Sequence, residues 1–267
     1  MKKLLALVLA LSMCLCAVSA FAEEESDLAY VLAKGTLVVG ITDFAPMDYL
    51  SEDGTTWIGF DADLATAFAE ALGVEVEFVE IDWDNKILEL NAKTVDCIWN
   101  GMTLTDEVAA AMSCTDAYLE NSQVIVLPSA KVAEVSGYME AGDNEGFLEA
   151  MKGLTFAVEA GSAGEEQAAE YGLNTTPVNT QSSALMEVAA GTSDGAIIDL
   201  LMAEAMTGEG TGYEDLSAVF SLNAEVYVIG FRQGSDLTEG ANAFLADCAE
   251  NGVIAGLTAL YITGVTE

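Results

Sequence analysis

ILELNAKTVD at residues 87–96 and LMEVAAGTSD at residues 185–194 share one pattern: the end of a helix, a short turn and an aspartate. Each copy leads into a short apolar run, over 95–99 in the first case and 195–198 in the second, and a polar residue follows each run. Apolar residues at helical spacing followed by such a run indicate a helix that precedes a buried strand. The repetition therefore predicts two α/β lobes of similar plan.

The sequence around both copies continues the alternation of strand and helix patterns. Before the first copy it shows a strand at 37–41, a turn at Asp53-Gly54, a helix at 60–72 closed by Gly73 and a near-alternating strand over 74–81. In the second half it shows strands at 155–158 and 175–178 and helices at 164–171 and 184–190. Strands that alternate with helices are typical of parallel sheets with helices on their faces. We expect one mostly parallel sheet, flanked by helices, in each lobe.

Two extended apolar segments without helical spacing lie at 123–128 and 226–231. We interpret them as strands that cross between the lobes, the second returning to lobe I. Helix patterns at 235–252 and 253–261 then complete lobe I. The expected division is a signal peptide over 1–22, lobe I over 23–126 and 226–267, and lobe II over 127–225.

The N-terminus has the three parts of a secretory signal peptide. Lys2 and Lys3 precede an apolar run over 4–18, and small residues at Ala20 and Ala22 mark a cleavage site. The run is shorter than the ~20 apolar residues that cross a bilayer. We expect cleavage after Ala22 and export to the periplasm or the cell surface, without a lipid anchor.

The composition excludes several classes of function. The 267 residues include 8 Lys+Arg and 44 Asp+Glu, a formal charge of -36 at pH 7, and so acidic a surface repels nucleic acid. There is no histidine, and Arg232 is the one arginine, which removes Ser-His and Cys-His catalysis and histidine metal sites. We therefore expect a protein that is not an enzyme and that has no cofactor and no metal.

Three cysteines remain after the expected cleavage: Cys97, Cys114 and Cys248. An odd number allows at most one disulfide in a compartment that permits it. We interpret the three as packing residues, and whether Cys97 and Cys114 form a bridge stays open.

The residues at the carboxyl ends of the predicted strands indicate a ligand cleft. In α/β sheets, ligands bind beyond the carboxyl ends of the strands. Those ends are Asn100, Gly101, Met102 and Thr103 in lobe I, and Asp199 with the loop over 160–164 in lobe II. We expect the cleft between these two sets.

Asp199 has two interpretations. A carboxylate at the end of a buried strand needs a partner, because an unpaired buried charge is costly, and a ligand ammonium would supply one. The alternative is an N-cap for the helix that begins near Leu200. If Asp199 binds the ligand, we expect Asp199→Asn to weaken binding strongly and barely to alter stability, because no internal partner is expected.

A glycine loop and four aromatic side chains are further candidates for the cleft. The backbone N–H groups of the loop over 161–164 could hold an anion at a helix N-terminus, or the loop is an ordinary tight turn. Phe44, Trp57, Trp83 and Trp99 could supply flat apolar surface to a ligand, and each also fits a core position.

Six segments of the chain together resemble a known family. They are LVVG at 37–40, FAPM at 44–47, GFDADL at 59–64, GMTLT at 101–105, QVIV at 123–126 and IGFR at 229–232. In this order they resemble the type 3 extracellular solute-binding proteins, which deliver amino acids to ATP-binding-cassette (ABC) importers. The resemblance covers nearly the whole mature chain. It implies a type II periplasmic-binding-protein fold, in which two α/β lobes joined by two crossing strands close on a small ligand.

The resemblance also implies roles for single residues. Asp199 is similar to the acid of the family that pairs with the ligand α-ammonium, and Phe44 to the aromatic side chain that lines the first lobe. Thr103 resembles a hydroxyl that touches the ligand carboxylate. Trp83 stands where the family often has a wall of the pocket.

Two positions depart from the family pattern. Val108 stands where the family usually has the arginine that grips the ligand carboxylate, and Ala163 stands where the glycine loop usually has a hydroxyl residue. An arginine–carboxylate pair is a strong polar contact, so its loss leaves the anion to Thr103, Ser162 and backbone N–H groups. Otherwise the ligand has no such carboxylate.

We expect an exported monomer that captures an amino acid between its lobes and delivers it to the membrane permease of an ABC importer. The lobes would close by movement at the crossing strands. An alternative with the same fold binds a cationic amine, a polyamine or a small peptide, because Asp43 and Asp199 fit the cleft and no arginine does. An alternative of another class is an exported enzyme of this fold, which would depend on an acid pair alone.

Overall fold

The computed structural model describes residues 26–264, so the expected signal peptide and its cleavage after Ala22 lie outside the described residues. The helices are α1 (Asp27–Lys34), α2 (Phe60–Leu72), α3 (Lys86–Asn91), α4 (Asp106–Ala111), α5 (Ser129–Ala141), α6 (Asn144–Met151), α7 (Ala163–Glu170), α8 (Gln181–Ala189), α9 (Leu200–Met206), α10 (Leu237–Glu250) and α11 (Val253–Leu257). A 3-10 turn at Trp83–Asn85 precedes α3, and a π-helical turn at Thr258–Ile262 follows α11. The strands are β1 (Thr36–Ile41), β2 (Tyr49–Leu50), β3 (Trp57–Ile58), β4 (Glu75–Glu80), β5 (Cys97–Thr103), β6 (Met112–Cys114), β7 (Leu119–Asn121), β8 (Gln123–Pro128), β9 (Thr155–Glu159), β10 (Asn174–Val178), β11 (Gly195–Asp199), β12 (Leu216–Ser221) and β13 (Glu225–Arg232).

The strands form two large sheets, one for each lobe, and a small hairpin of β2 and β3. The first sheet has six strands in the order β4-β1-β5-β13-β6, with β7 also paired to β13. The second has five in the order β10-β9-β11-β8-β12. The two-lobe plan read from the repeated pattern is thus the plan of the molecule.

Each sheet is parallel on one side and antiparallel on the other. β4, β1 and β5 run parallel, as do β10, β9 and β11, whereas β13 runs antiparallel to β5 and β8 runs antiparallel to β11. β8 and β13 run antiparallel because of the place where each strand starts. Each enters its sheet from the other lobe, at the carboxyl ends of the parallel strands, and can only run in the opposite direction. Both sheets are therefore mixed, with parallel pairing confined to three strands in each.

The chain passes between the sheets at residue 122 and again at 222–224. Gln123–Pro128, which we expected to cross and to belong to lobe I as far as residue 126, pairs along its length with β11 and β12 of the second sheet. The second expected crossing strand lies within β13 of the first sheet. The crossings are therefore the short links β7–β8 and β12–β13, because continuous pairing holds the long apolar runs inside the sheets.

The first lobe is tied together by the single arginine of the chain. Arg232, at the end of β13, donates from Nε to both carboxylate oxygens of Asp27 at 2.9 and 3.0 Å and from Nη1 to the carbonyl oxygen of Val95 at 2.8 Å. It thereby joins α1 to the returning chain. Cys97, Cys114 and Cys248 are free thiols.

No single helix in residues 26–264 is long and apolar enough to cross a membrane. Leu237–Glu250 and Val253–Ile262 reach that length and composition only as a pair, which is bent by 71°.

Candidate ligand-binding site

A cavity of about 290 Å³ lies between the two lobes. The residues around it follow the carboxyl ends of β1, β5, β9 and β11 or stand on the helices and turns beside them. Of the ten residues expected at the site, the cavity brings together Phe44, Trp83, Asn100, Gly101, Met102, Thr103, Ser162, Ala163 and Asp199. Asp43 is exposed and lies outside the lining. Trp99 is buried against Phe68 in the core of lobe I, and Trp57 packs on the same core.

Asn100 lines the cavity, but its amide is engaged within its own lobe. Its Oδ1 accepts from the backbone N–H and the hydroxyl of Thr42 at 3.0 and 2.9 Å, and its Nδ2 donates to the carbonyl oxygen of Thr42 at 3.0 Å and to Asp48 at 2.7 Å. This network fixes the loop after β1 against β5. Asn100 therefore supports the cavity and has little hydrogen-bonding capacity left for a ligand.

Gly101 lets Phe44 reach the cavity. Its φ is +54°, and a Cβ atom there would lie 2.6 Å from Phe44 Cε1. The ring of Phe44 packs edge-on against Tyr227, with 6.5 Å between centroids. The N–H of Gly101 donates to Asp61 Oδ2 at 2.6 Å, and burial raises the pKa of Asp61 to about 7. Only glycine satisfies both the positive φ and the close approach of the ring.

The hydroxyl of Thr103 faces the crossing segment of the chain. It donates to Glu225 Oε1 at 2.9 Å, and Asn121 and Gln123 donate to the same oxygen at 2.6 and 2.8 Å. Asn223 of the second crossing donates to Glu225 Oε2 at 2.8 Å, so Glu225 collects donors from both crossings. The oxygen of Thr103 still has lone pairs, but its proton is committed to Glu225.

Asp199 ends β11 and occupies the N-cap position of α9, yet its side chain makes no capping hydrogen bond. Its carboxylate accepts from the side-chain amides of Asn121 and Gln181 and from the hydroxyl of Tyr227, the last at 2.6 Å. The expectation that Asp199 has no internal partner is wrong, because the fold brings donors of both lobes to it. Burial, and next the charge of Glu225, raises the pKa of Asp199 to about 7.

Glu159 is a lining residue that the sequence analysis missed. It ends β9, beside β11, is 2% exposed, and its Oε1 has no hydrogen-bond partner among the described residues. Burial, and next the charge of Asp199, raises its pKa to about 8. A polar residue after a buried strand was the criterion that selected Asn100 and Asp199, and the same criterion applied one residue beyond 155–158 finds Glu159.

Lys86 is a second lining residue that was missed. It begins α3 and is 4% exposed, and its Nζ donates to the carbonyl oxygen of Gly161 in lobe II at 2.7 Å. The ammonium lies 5.1 Å from the centroid of the Trp83 ring. Burial lowers the pKa of Lys86. A lone lysine in a helix pattern carries no sequence signal for a cavity, because its placement depends on how the lobes meet.

The glycine loop forms a capping box. Ser162 is the N-cap of α7 and its Oγ accepts from the N–H of Glu165 at 3.2 Å, while Glu165 Oε2 accepts from the N–H of Gly161 at 2.8 Å. The helix therefore satisfies these donors with its own side chains. The N–H groups of Gly161 and Glu165 are thus engaged within the loop, and binding of an anion at this helix N-terminus stays a prediction.

A model of the bacterial extracellular solute-binding proteins, family 3, matches residues 37–264. The chain belongs to this family. The match spans both lobes and confirms the resemblance drawn from the six short segments.

Similar proteins and structures carry the same fold. This family 3 protein is 30% identical over 240 residues to the arginine-binding extracellular protein ArtP of Bacillus subtilis (strain 168). The alignment covers 86% of this chain and 88% of ArtP. A mutant of ArgBP from T. maritima superposes with a TM-score of 0.77 at 28% identity, over 89% of this chain and 99% of that one. The ancestral amino acid-binding protein AncCDT-1, a precursor of cyclohexadienyl dehydratase, gives a TM-score of 0.77 at 26% identity, over 89% of this chain and all 100% of the other. The expected type II fold is confirmed.

Proposed function

We propose that this protein captures an amino acid in the cavity between its lobes and delivers it to the permease of an ABC importer. The observation that carries the proposal is the buried carboxylate of Asp199 on the cavity wall of a solute-binding protein. Relatives named for arginine binding support an amino acid as the ligand class. An α-ammonium is the cation that every free amino acid offers to such a carboxylate.

The surroundings of Asp199 suit an ammonium that binds as the lobes close. Asn121 and Tyr227 belong to strands of the first sheet and Gln181 to a helix of the second lobe, and all three donate to Asp199. They hold the carboxylate in one orientation. A ligand that pairs with Asp199 would favour the arrangement in which these donors meet, and so would shift the population towards the closed form.

The rest of the ligand would contact the other lining residues. Phe44 and Trp83 offer flat apolar surface, and Thr103 and Ser162 offer hydroxyl oxygens. We propose that the lobes move as units divided at residue 122 and at 222–224, that the chain works as a monomer, and that it is exported after cleavage behind Ala22.

A ligand screen tests this function. The chain without its first 22 residues would be unfolded in guanidinium and refolded to remove bound solute, then heated with each amino acid. A ligand at a hundredfold excess over its Kd stabilises the fold by about 2.7 kcal/mol, or roughly 5–10 °C in Tm for a chain of this size. Isothermal titration would then give the Kd of each amino acid that shifts Tm. Absence of saturable binding across all amino acids would contradict the proposal.

A cationic amine is the second candidate ligand. The observation that favours it is the number of acidic residues that line the cavity: Asp199, Glu159, Glu107, Glu165 and Glu166. Val108 stands at the position where the family usually has an arginine. The same screen with putrescine, cadaverine and spermidine separates the two ligand classes. A shift with amines alone would replace the amino acid as ligand.

We propose that the ligand leaves the cavity unchanged. The relatives described above are named as binding proteins, and the cavity holds no histidine. Mass spectrometry of a ligand recovered after prolonged incubation checks this, and conversion to a new compound would favour the enzyme hypothesis.

A further inference from the structure

Lys86 is the only basic side chain among the residues that line the cavity. Other cations of the described chain are engaged outside it: Arg232 with Asp27, Lys34 with Asp96, Lys131 with Asp194, Lys152 with Glu149, and Lys93 over the ring of Tyr30. An anionic group of a ligand in this cavity therefore has one side-chain cation to meet.

Lys86 forms no ion pair within residues 26–264. Its Nζ donates to two neutral acceptors, the carbonyl oxygens of Gly161 at 2.7 Å and of Trp83 at 3.4 Å. An ammonium has three N–H donors. The charges of Glu107, Glu159, Asp84 and Glu166 act on Lys86, but its two hydrogen bonds go to carbonyl oxygens and leave a donor for a further acceptor. A carboxylate in the cavity would supply that acceptor in direct contact with the ammonium.

Glu107, Glu159, Asp84 and Glu166 are the internal rivals for this role, because their charges act on Lys86. Of these four, Glu159 is the buried one. It is buried on the same cavity, yet its Oε1 has no hydrogen-bond partner among the described residues and it forms no ion pair with Lys86. Burial raises the pKa of Glu159 to about 8, so the group is largely neutral at neutral pH. None of the four acids accepts a hydrogen bond from Lys86 within residues 26–264, where its acceptors are the carbonyl oxygens of Trp83 and Gly161.

Lys86 also enters the cavity beside Val108. The turn that precedes Lys86 contributes Trp83 to an apolar cluster that includes Leu90 and Val108, and Trp83, Lys86 and Val108 all line the cavity. A cation delivered from α3 thus reaches the region that an arginine at position 108 would reach from α4. Since Lys86 also donates to Gly161 of lobe II, its ammonium lies where the two lobes meet.

We propose that Lys86 binds the α-carboxylate of the captured amino acid, an inference that rests on the proposed function. Asp199 and Lys86 then recognise the two charges of the amino-acid backbone, one from each lobe. The hydroxyl of Ser162, which also lines the cavity, acts with Lys86 and does not replace it. Specificity for a free carboxylate is thereby carried by a lysine on α3.

Pairs of ligands that differ only in the carboxylate test the role of Lys86. The probes are L-arginine with agmatine, L-histidine with histamine, and L-lysine with cadaverine, each titrated calorimetrically into the wild-type chain, Lys86→Met and Lys86→Arg. Lys152→Met is the matched control, because it removes the same charge from an exposed site. Circular dichroism and urea unfolding establish that each variant is folded.

We expect the wild type to prefer the amino acid to its amine by at least tenfold, the ratio that a charge-assisted hydrogen bond provides. In Lys86→Met the amino acid should lose about that factor while the affinity for the amine stays within about twofold, and Lys86→Arg should restore the preference. Lys152→Met should match the wild type. An equal loss for amine and amino acid would assign Lys86 to lobe closure through Gly161 and overturn the proposal, as would a preserved preference in Lys86→Met. A wild type that binds no amino acid at all would instead overturn the proposed function itself.

Discussion

Asn100 and Asp199 are the polar residues that follow the apolar runs of the two copies of the repeated pattern, yet the molecule uses them differently. Asn100 is satisfied inside lobe I by Thr42 and Asp48. Asp199 takes its donors from both lobes and faces the cavity with a carboxylate whose pKa is raised. The comparison teaches that the local pattern delivers a polar group to the end of a buried run, and that the partners across the fold decide whether it supports the site or serves the ligand.

The largest expected effect is on ligand affinity at Asp199. Asp199→Asn should weaken an amino-acid ligand on the order of a thousandfold, because truncating one partner of a buried charge pair costs about 2–5 kcal/mol. Calorimetric titration measures the change. Asp194→Asn is the matched control in the same lobe, since Asp194 pairs with Lys131 outside the cavity, and its affinity should equal that of the wild type. An unchanged affinity in Asp199→Asn would remove this residue from the site. In Asp199→Asn the donors Asn121, Gln181 and Tyr227 meet an amide where the wild type has a carboxylate, so we expect the free energy of unfolding to change as well.

The second effect is on stability at Asn100. Asn100→Ala should lower the free energy of unfolding by about 3 kcal/mol, because it leaves buried groups of Thr42 and Asp48 without partners. Urea unfolding of the ligand-free chain measures it. Asn91→Ala, an exposed position at the end of α3, should change the free energy by no more than about 0.5 kcal/mol. Equal stabilities for the two variants would mean that Asn100 is not the support described above.

The third effect is a dependence of binding on pH. It arises from Asp199, whose carboxyl group titrates, whereas the amide of Asn100 does not. The ammonium pairs with ionised Asp199, and with a pKa of about 7 this carboxyl takes up a proton as the pH falls from 8 to 6. Binding must then release that proton, so affinity should be about tenfold lower at pH 6 than at pH 8. Glu225, Glu159 and Tyr227 face Asp199, and of these Glu159 has a pKa raised to about 8.

Calorimetry in two buffers of different ionisation enthalpy counts the protons released. Glu159→Gln separates the two acids, because a proton release that persists in this variant belongs to Asp199. A binding heat that is independent of the buffer at pH 6 would contradict the assignment.

The smallest expected effect concerns the loop after β9, where Ser162 is the N-cap of α7. Ser162→Ala removes the acceptor for the N–H of Glu165 and should lower the free energy of unfolding by about 1 kcal/mol, the usual worth of an N-cap. Ser136→Ala, on the exposed face of α5, is the control and should be nearly neutral. If the two variants unfold alike in urea, the capping interaction contributes nothing to stability.

Sequence patterns located most of the strands and nearly all the expected lining residues, because both depend on local order. A buried strand ends at the polar residue that follows its apolar run, and parallel strands bring their carboxyl ends to the same edge of the sheet. The exception is Asp43, which follows β1 as the others follow their strands but is exposed. Its neighbour Phe44 takes the place on the cavity, since Gly101 leaves room for that ring.

Other features depended on contacts between distant segments. β5 continues to Thr103 beyond the expected strand end because β13 pairs with it, with a shift of register near Gly101. The segment over 129–151 forms α5 and α6, for which the sequence analysis made no assignment; it packs on the second core through Val135, Phe147 and Met151. Lys86 carried no sequence signal for the cavity, and nothing in the sequence brings it together with Glu159, since the two residues belong to different lobes.

The sequence by itself determined the two-lobe α/β plan, the family and the strand-end residues, because helical and strand periodicity and short motifs are properties of neighbouring residues. Only the tertiary structure decided where the chain crosses, which acid keeps donors from both lobes, and that one buried lysine lines the cavity and donates to the other lobe. Those facts arise from the pairing of segments far apart in the chain, where burial and charge act across space and not along the sequence.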